Sequence, residues 1–110
     1  MAYDEALADR VRSVMAVDEG VTEKRMFGGL AFLVNGNLAV SASGQGGLLL
    51  RVDPAAAESL VGESGVTRFE MRGRAMNGWL HVGPSTVESD DRLRHWVRIG
   101  VAYAGSLPPK

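Results

Sequence analysis

Residues 26–36 read Met-Phe-Gly-Gly-Leu-Ala-Phe-Leu-Val-Asn-Gly, and this stretch decides the fold. The run from Met26 to Val34 is apolar throughout and rich in strand-forming residues near its end. Asn35-Gly36 can supply the two positive φ angles of a tight hairpin turn. The stretch therefore predicts a strand and a hairpin. The return strand places its larger apolar side chains on one face, namely Leu38, Val40 and Ala42.

The chain after this hairpin is expected to add a third strand and a helix. A glycine-rich turn at 44–47 leads into an apolar stretch at 48–52, which completes a three-stranded antiparallel meander. Asp53-Pro54 predicts a helix start, because Asp can cap free amide groups and Pro is tolerated in the first turn. This second helix is expected to end near Gly62.

The last third of the chain predicts two more strands and a long helix. Alternation around Phe69 and Met71 indicates one strand, and a second Asn-Gly pair, Asn77-Gly78, leads into another at 79–82. The final helix is expected to start at Ser89 or Asp90 and to stop before a Pro-Pro pair. Its apolar stripe consists of Leu93, Trp96, Val97, Val101 and Ala104. The Gly100 on this helix suggests close packing against another backbone.

The N-terminal segment has helical periodicity, which predicts a first helix over residues 2–17 with Gly20 as a stop signal. The order of elements is then α-β-β-β-α-β-β-α. Such an order predicts a two-layer α+β domain in which helices cover one face of an antiparallel sheet. A chain of 110 residues is short enough to form one domain over residues 1–110.

The composition excludes several classes of protein. The chain has 12 Lys+Arg against 13 Asp+Glu, a formal net charge of -1, which argues against nucleic-acid binding driven by overall positive charge. It has no cysteine, which excludes a disulfide framework, a thiol nucleophile and a Cys-based metal site. The N-terminus is acidic and lacks a long apolar run, so we expect a cytoplasmic protein without a membrane segment.

Four separated segments, in order, resemble the N-terminal domain of the TfoX (Sxy) competence-regulator family. They are Lys24-Arg25-Met26-Phe27-Gly28-Gly29, Leu49-Leu50-Arg51-Val52, Phe69-Glu70-Met71-Arg72-Gly73-Arg74-Ala75-Met76 and Gly78-Trp79. The resemblance implies a secretion-chaperone-like fold and a homodimer. Members of the family usually carry a second, helical C-terminal domain, and we expect this chain to be a single-domain member without it.

The basic residues near these segments are the candidate contact site for a partner or an anion. We assign to it Lys24, Arg25, Arg51, Arg72, Arg74 and Trp79. Guanidinium groups make forked contacts to carboxylate or phosphate, and aromatic residues are enriched at interfaces. The alternative interpretation is structural, with the arginines paired to Glu23, to Glu70 or to helix carbonyl groups.

Other motifs favour structural roles. Gly28-Gly29 is followed by a strand, whereas a phosphate loop needs a helix there, so we interpret the pair as a bulge or as a place where a helix packs close to the strand. His81 and His95 lack the spacing of a metal site. The serines at 41, 43 and 85 lack the context of a nucleophile. We therefore expect no catalytic residue, no metal and no cofactor.

The leading hypothesis is a cytoplasmic, non-enzymatic regulatory or protein-interaction domain, homodimeric, with an unidentified protein partner. The resemblance links it to the regulation of transcription or competence. The alternative is a small-molecule or anion-binding protein, with an enzyme as one form of it, in which Arg51, Arg72 and Arg74 surround a cleft. Direct binding of nucleic acid is disfavoured by the net charge of -1.

Overall fold

The computed structural model describes residues 3–26, 28–71 and 73–110. Within these residues the α-helices are α1 (Glu5–Val14), α2 (Pro54–Val61) and α3 (Asp90–Ser106). The strands are β1 (Val21–Met26), β2 (Gly29–Val34), β3 (Asn37–Ala42), β4 (Leu48–Arg51), β5 (Val66–Met71) and β6 (Arg74–Val82). Short 3₁₀ turns lie at Met15–Val17, after α1, and at Pro84–Val87, before α3.

The strands form one six-stranded sheet in the order β1-β2-β3-β4-β6-β5, and every neighbouring pair is antiparallel. The core lies between the helices and one face of this sheet. A row of register partners across the four central strands, Phe32, Val40, Leu50 and Leu80, is fully buried there. The predicted α+β class and its two layers are confirmed.

The structure adds one strand to the predicted order. Residues 26–34 were expected to form a single strand, but Met26 ends β1, and β2 begins at Gly29 after a turn in which Gly28 has φ +75°. The intervening Phe27 lies outside the described residues. β1 is an edge strand whose residues are all exposed or half-buried. Because such a strand buries neither face, its sequence carries none of the apolar alternation that identifies a strand.

The Asn-Gly pairs have different roles. Asn35 and Gly36 have φ values of 52° and 85°, which confirms the predicted hairpin turn. At the second pair β6 runs without a break from Arg74 to Val82, so these residues do not form the turn between β5, which ends at Met71, and β6. Gly78, with φ +82°, forms a bulge beside the register shift between β5 and β6. Its carbonyl accepts a 2.8 Å hydrogen bond from the Val52 N–H, which ties the bulge to the end of β4.

The helix termini follow the predicted signals. The Asp53 carboxylate accepts from the Ala55 N–H and caps α2, and the Ser89 hydroxyl accepts from the Arg92 N–H and caps α3. The first helix is shorter than the predicted 2–17, because Asp4 caps it at Glu5 and the chain tightens into a 3₁₀ turn after Val14. Residue 2 lies outside the described part.

The position of α3 is set by Gly100. The stripe predicted for this helix is buried, with Trp96 and Val97 at 0% exposure. A Cβ at Gly100 would lie 3.1 Å from the Ala39 carbonyl carbon and 2.7 Å from Cδ1 of Leu50, and closer still to the Ala39 carbonyl oxygen. This contact confirms the close packing that the glycine predicted, and only a residue without a Cβ lets α3 approach the sheet this closely.

Candidate functional site

Basic residues on helices and on strands differ in their ion pairs. Within the described residues, every arginine on a helix has a carboxylate partner; the pairs are Arg10–Asp90, Arg12–Asp9, Arg12–Glu23, Arg92–Glu63, Arg94–Asp91 and Arg98–Asp18. In the same part of the chain no ion pair involves the basic residues of the strands, which are Lys24, Arg25, Arg51, Arg68 and Arg74. None of the described candidate arginines pairs with Glu23; Arg12 binds that carboxylate through two nitrogens, at 2.6 and 2.8 Å.

Arg51 is the candidate that the structure surrounds with aromatic rings. It ends β4, and its register partner on β6 is Trp79. Its Cζ lies 5.7 Å from the centroid of the Trp79 ring and 5.8 Å from that of the Tyr103 ring on α3. Both distances fall within the roughly 6 Å over which a cation is attracted to an aromatic face. We call these three half-buried residues the Arg51 cluster.

Local structure explains how the cluster forms. The chain leaves the sheet directly after Arg51, because Asp53 and Pro54 start α2. On the other side, Gly100 brings α3 against Leu50, the residue before Arg51. Tyr103 follows Gly100 by three positions, so it lies on the same side of the helix. A glycine contact one turn away thus brings the Tyr103 ring to the end of β4.

The guanidinium of Arg51 has unused hydrogen-bonding capacity. Among the described residues, no oxygen accepts a hydrogen bond from it and no carboxylate pairs with it. A guanidinium carries five N–H donors in one plane and binds a carboxylate or phosphate through two parallel bonds. Arg51 therefore keeps N–H donors of the kind that bind a carboxylate or a phosphate.

The remaining candidates lie elsewhere on the sheet. Lys24 and Arg25 are on β1, which β2 and β3 separate from β4, a distance of roughly 14 Å at about 4.8 Å per strand. As neighbours on a strand, their side chains point to opposite faces. Arg74 is exposed at the start of β6, and Arg72 lies outside the described residues. The structure therefore joins Arg51 and Trp79 and places Lys24, Arg25 and Arg74 apart from them.

Sequence reasoning missed Tyr103. This residue is on α3 beside the apolar stripe, next to Val101 and Ala104, and only the stripe was assigned a role. The signal that identifies it is its spacing from Gly100, since a glycine that permits close approach also brings the residue one turn later near the sheet.

The two histidines that the sequence singled out, and Gly29 of the glycine pair, are explained by packing and hydrogen bonds within the chain. His81 Nε2 lies 2.7 Å from the Gly46 carbonyl oxygen in the β3–β4 turn, and the His95 ring packs edge-on against Trp96 at 5.1 Å. A Cβ at Gly29 would meet the Ala42 carbonyl oxygen, so that glycine marks a close approach of two strands. Over residues 3–26, 28–71 and 73–110, no cluster of three or more His, Asp or Glu side chains can hold a metal ion.

The fold and the site define a two-layer α+β domain with a cation–aromatic cluster at the end of a central strand. The chain belongs to the TfoX N-terminal domain family, whose model matches residues 13–104. Comparison with curated proteins gives no match, and comparison with solved structures gives none. Of the helices that the structure describes, none combines the length and the apolar character needed to cross a membrane.

Proposed function

We propose that this chain is a protein-interaction domain whose Arg51 cluster binds a carboxylate group of its partner, without catalysing a reaction. One observation carries the proposal: the half-buried Arg51 lies over two aromatic rings and has no carboxylate partner among the described residues. A cation left without a partner in such surroundings loses hydration that an incoming carboxylate can replace.

A protein partner fits these residue types. Arg, Trp and Tyr are the side chains that most often carry binding energy at protein interfaces. The cluster is formed by a strand pair and a helix, so little further order has to be imposed on binding. A net charge of -1 disfavours an extended phosphate backbone as the partner, because that backbone would require many neutralising contacts.

Membership of the TfoX family supports a regulatory role for this interaction. Within the proposal, the interaction acts in the control of transcription or competence, and the domain works as a cytoplasmic homodimer. Light scattering tests the self-association directly. A mass of two chains is expected, and a mass of one chain at the highest soluble concentration would remove the homodimer from the proposal.

Matched variants test the interaction. Arg51→Gln removes the cation of the cluster, whereas Arg92→Gln removes an arginine that also lies over a tryptophan ring, at 5.8 Å from the Trp96 centroid, but is exposed and paired to Glu63. Affinity capture with quantitative mass spectrometry is carried out on wild type and both variants. Proteins retained by wild type and Arg92→Gln but depleted about tenfold with Arg51→Gln support the proposal, the size being that of one charged hydrogen bond. The same proteins retained by all three would reject it.

The chemistry of Arg51 also favours a second candidate, a small carboxylate or phosphate ligand, because its N–H donors accept either group. A thermal-shift series with succinate, citrate and inorganic phosphate separates the two functions, since a ligand that binds only the native state raises the melting temperature. A shift that Arg51→Gln abolishes, without any depleted protein in the capture experiment, would favour the small-ligand function.

A further inference from the structure

A groove separates α1 from α3 on the side of the molecule where the helices lie. Its α1 wall consists of residues at helical spacing that continue into the following 3₁₀ turn: Arg10, Ser13, Val14 and Val17. Its α3 wall follows the same spacing: Asp90, Leu93, Arg94 and Arg98. The cavity between these walls measures about 510 Å³, within the range of small-molecule sites. We call it the α1–α3 groove.

Ion pairs close the groove at both ends. At one end Arg10 Nη2 donates to Asp90 Oδ1 at 3.1 Å and to the carbonyl oxygens of Val87 and Glu88 at 3.0 and 2.9 Å. At the other end Arg98 Nη2 donates to both carboxylate oxygens of Asp18, at 2.8 and 2.7 Å. These pairs hold the segments on either side of the groove together, and they neutralise its terminal charges.

Arg94 is the cation between these two ends. Its carboxylate partner, Asp91, lies on its own helix at 3.3 Å and does not line the groove. Both side chains of this pair are largely exposed, so solvent screens their attraction and a ligand can displace it. The middle of the groove therefore presents one positive charge that the groove itself does not neutralise.

Apart from the Ser13 hydroxyl, the rest of the middle of the groove is apolar. Leu93 is buried and belongs to the core, and the half-buried Val14 packs against it. Val17 is 81% exposed, which is unusual for a large hydrophobic side chain among the described residues. An aliphatic group in the groove would remove Val17 from water, which favours binding.

We propose that the α1–α3 groove binds a small amphiphilic carboxylate, with its anionic group on Arg94 and its aliphatic chain on Val14, Val17 and Leu93. The groove offers one cation, Arg94, beside apolar side chains. A ligand that matches it carries one negative charge and a short alkyl chain. The site is separate from the Arg51 cluster, because Arg94 and Tyr103 are about 14 Å apart along α3 at roughly 1.5 Å per residue. The inference therefore does not depend on the proposed function.

Octanoate is the probe, and calorimetric titration of the purified chain measures its dissociation constant. Acetate supplies the anion without the alkyl chain, and octanol supplies the chain without the charge. Arg94→Gln removes the middle cation, and Arg92→Gln is the control, because Arg92 lies on the same helix outside the groove. Methyl NMR shifts of Val14, Val17 and Leu93 report where the probe binds. Arg94 is exposed, so its substitution should leave the fold intact.

The expected result is that octanoate binds wild type and Arg92→Gln equally, shifts the methyl signals of all three residues, and binds Arg94→Gln about tenfold more weakly, as the loss of one charged contact implies. Acetate and octanol are expected to bind more weakly than octanoate. The proposal is overturned if octanoate does not bind at concentrations on the order of 10 mM. It is equally overturned if Arg94→Gln binds as wild type does, if octanol or acetate matches octanoate, or if the methyl groups do not shift.

Discussion

Gly100→Ala tests whether the approach of α3 to the sheet organises the molecule. In an exposed helix interior, this change usually stabilises a protein by about 0.5–1 kcal/mol, because alanine loses less backbone entropy. Here the added Cβ would lie 2.7 Å from Cδ1 of Leu50 and 3.1 Å from the Ala39 carbonyl carbon. The Leu50 methyl group can move, but the Ala39 carbonyl belongs to a central strand and can shift only with β3.

The magnitude follows from two opposing effects. Overpacking of a filled core costs about 1–3 kcal/mol, and a contact with backbone belongs at the upper end of that range. Subtracting the gain in helix propensity of up to about 1 kcal/mol leaves a net loss of about 2 kcal/mol in the free energy of unfolding. With a slope of about 2 kcal/mol per molar urea, the unfolding midpoint should fall by about 1 M.

The control is a second glycine of the same helix. A Cβ at Gly105 would have no heavy atom within 4 Å, so Gly105→Ala should be neutral or stabilising by up to about 1 kcal/mol. Urea denaturation followed by circular dichroism measures both variants. The reasoning is refuted if Gly100→Ala is as stable as Gly105→Ala, because the Ala39 contact would then impose no cost.

Three further outcomes are expected. Trp96 is 0% exposed and its Nε1 has no hydrogen-bond partner among the described residues, so Trp96→Phe should cost less than about 2 kcal/mol by chemical denaturation, against about 3–5 kcal/mol for Trp96→Ala. Hydrogen bonds from Arg12 lower the pKa of Glu23, so the pair stabilises the fold at neutral pH and this stabilisation is lost as the pH falls through the lowered pKa. Glu23→Gln should make the stability of the fold depend less on pH in this acidic range, as melting curves recorded at several pH values would show. The change is at most about 1 kcal/mol, because both side chains are exposed. Asn35→Ala should cost about 1 kcal/mol in the same assay, because alanine tolerates the φ of 52° less well than asparagine does.

The parts of the fold that could be predicted are those with local causes. A hairpin turn needs positive φ at two adjacent residues, and Asn35-Gly36 provides them. A helix start needs a side-chain acceptor, which Asp53 and Ser89 supply. In each case the residues that explain the structure are within a few positions of one another, so one stretch of sequence contains the whole argument.

The parts that could not be predicted depend on distant residues. β1 is polar because its edge faces solvent, and its existence depends on pairing with β2 rather than on its own pattern. Asn77-Gly78 has the residue types of a turn, but Gly78 forms a bulge within β6, and its carbonyl accepts a hydrogen bond from the Val52 N–H at the end of β4, a partner that the local sequence does not indicate. The contact of Arg51 with Tyr103 joins β4 to α3; the spacing from Gly100 places Tyr103 near the sheet, but nothing local to α3 identifies Arg51 as the residue that it meets.

The distribution of ion pairs among the basic residues explains why Arg51 is the first of them to substitute. The helix arginines pair with the carboxylates of Asp9, Asp18, Glu23, Glu63, Asp90 and Asp91. An overall balance of 12 basic against 13 acidic residues therefore coexists with strand cations that have no carboxylate partner among the described residues. Of these strand cations, Lys24, Arg25, Arg68 and Arg74 are exposed and keep their hydration, whereas Arg51 is half-buried against two rings. Charged contacts are stronger where water is excluded, so an anion should gain most at Arg51, and Arg51→Gln should weaken partner binding more than Arg74→Gln does.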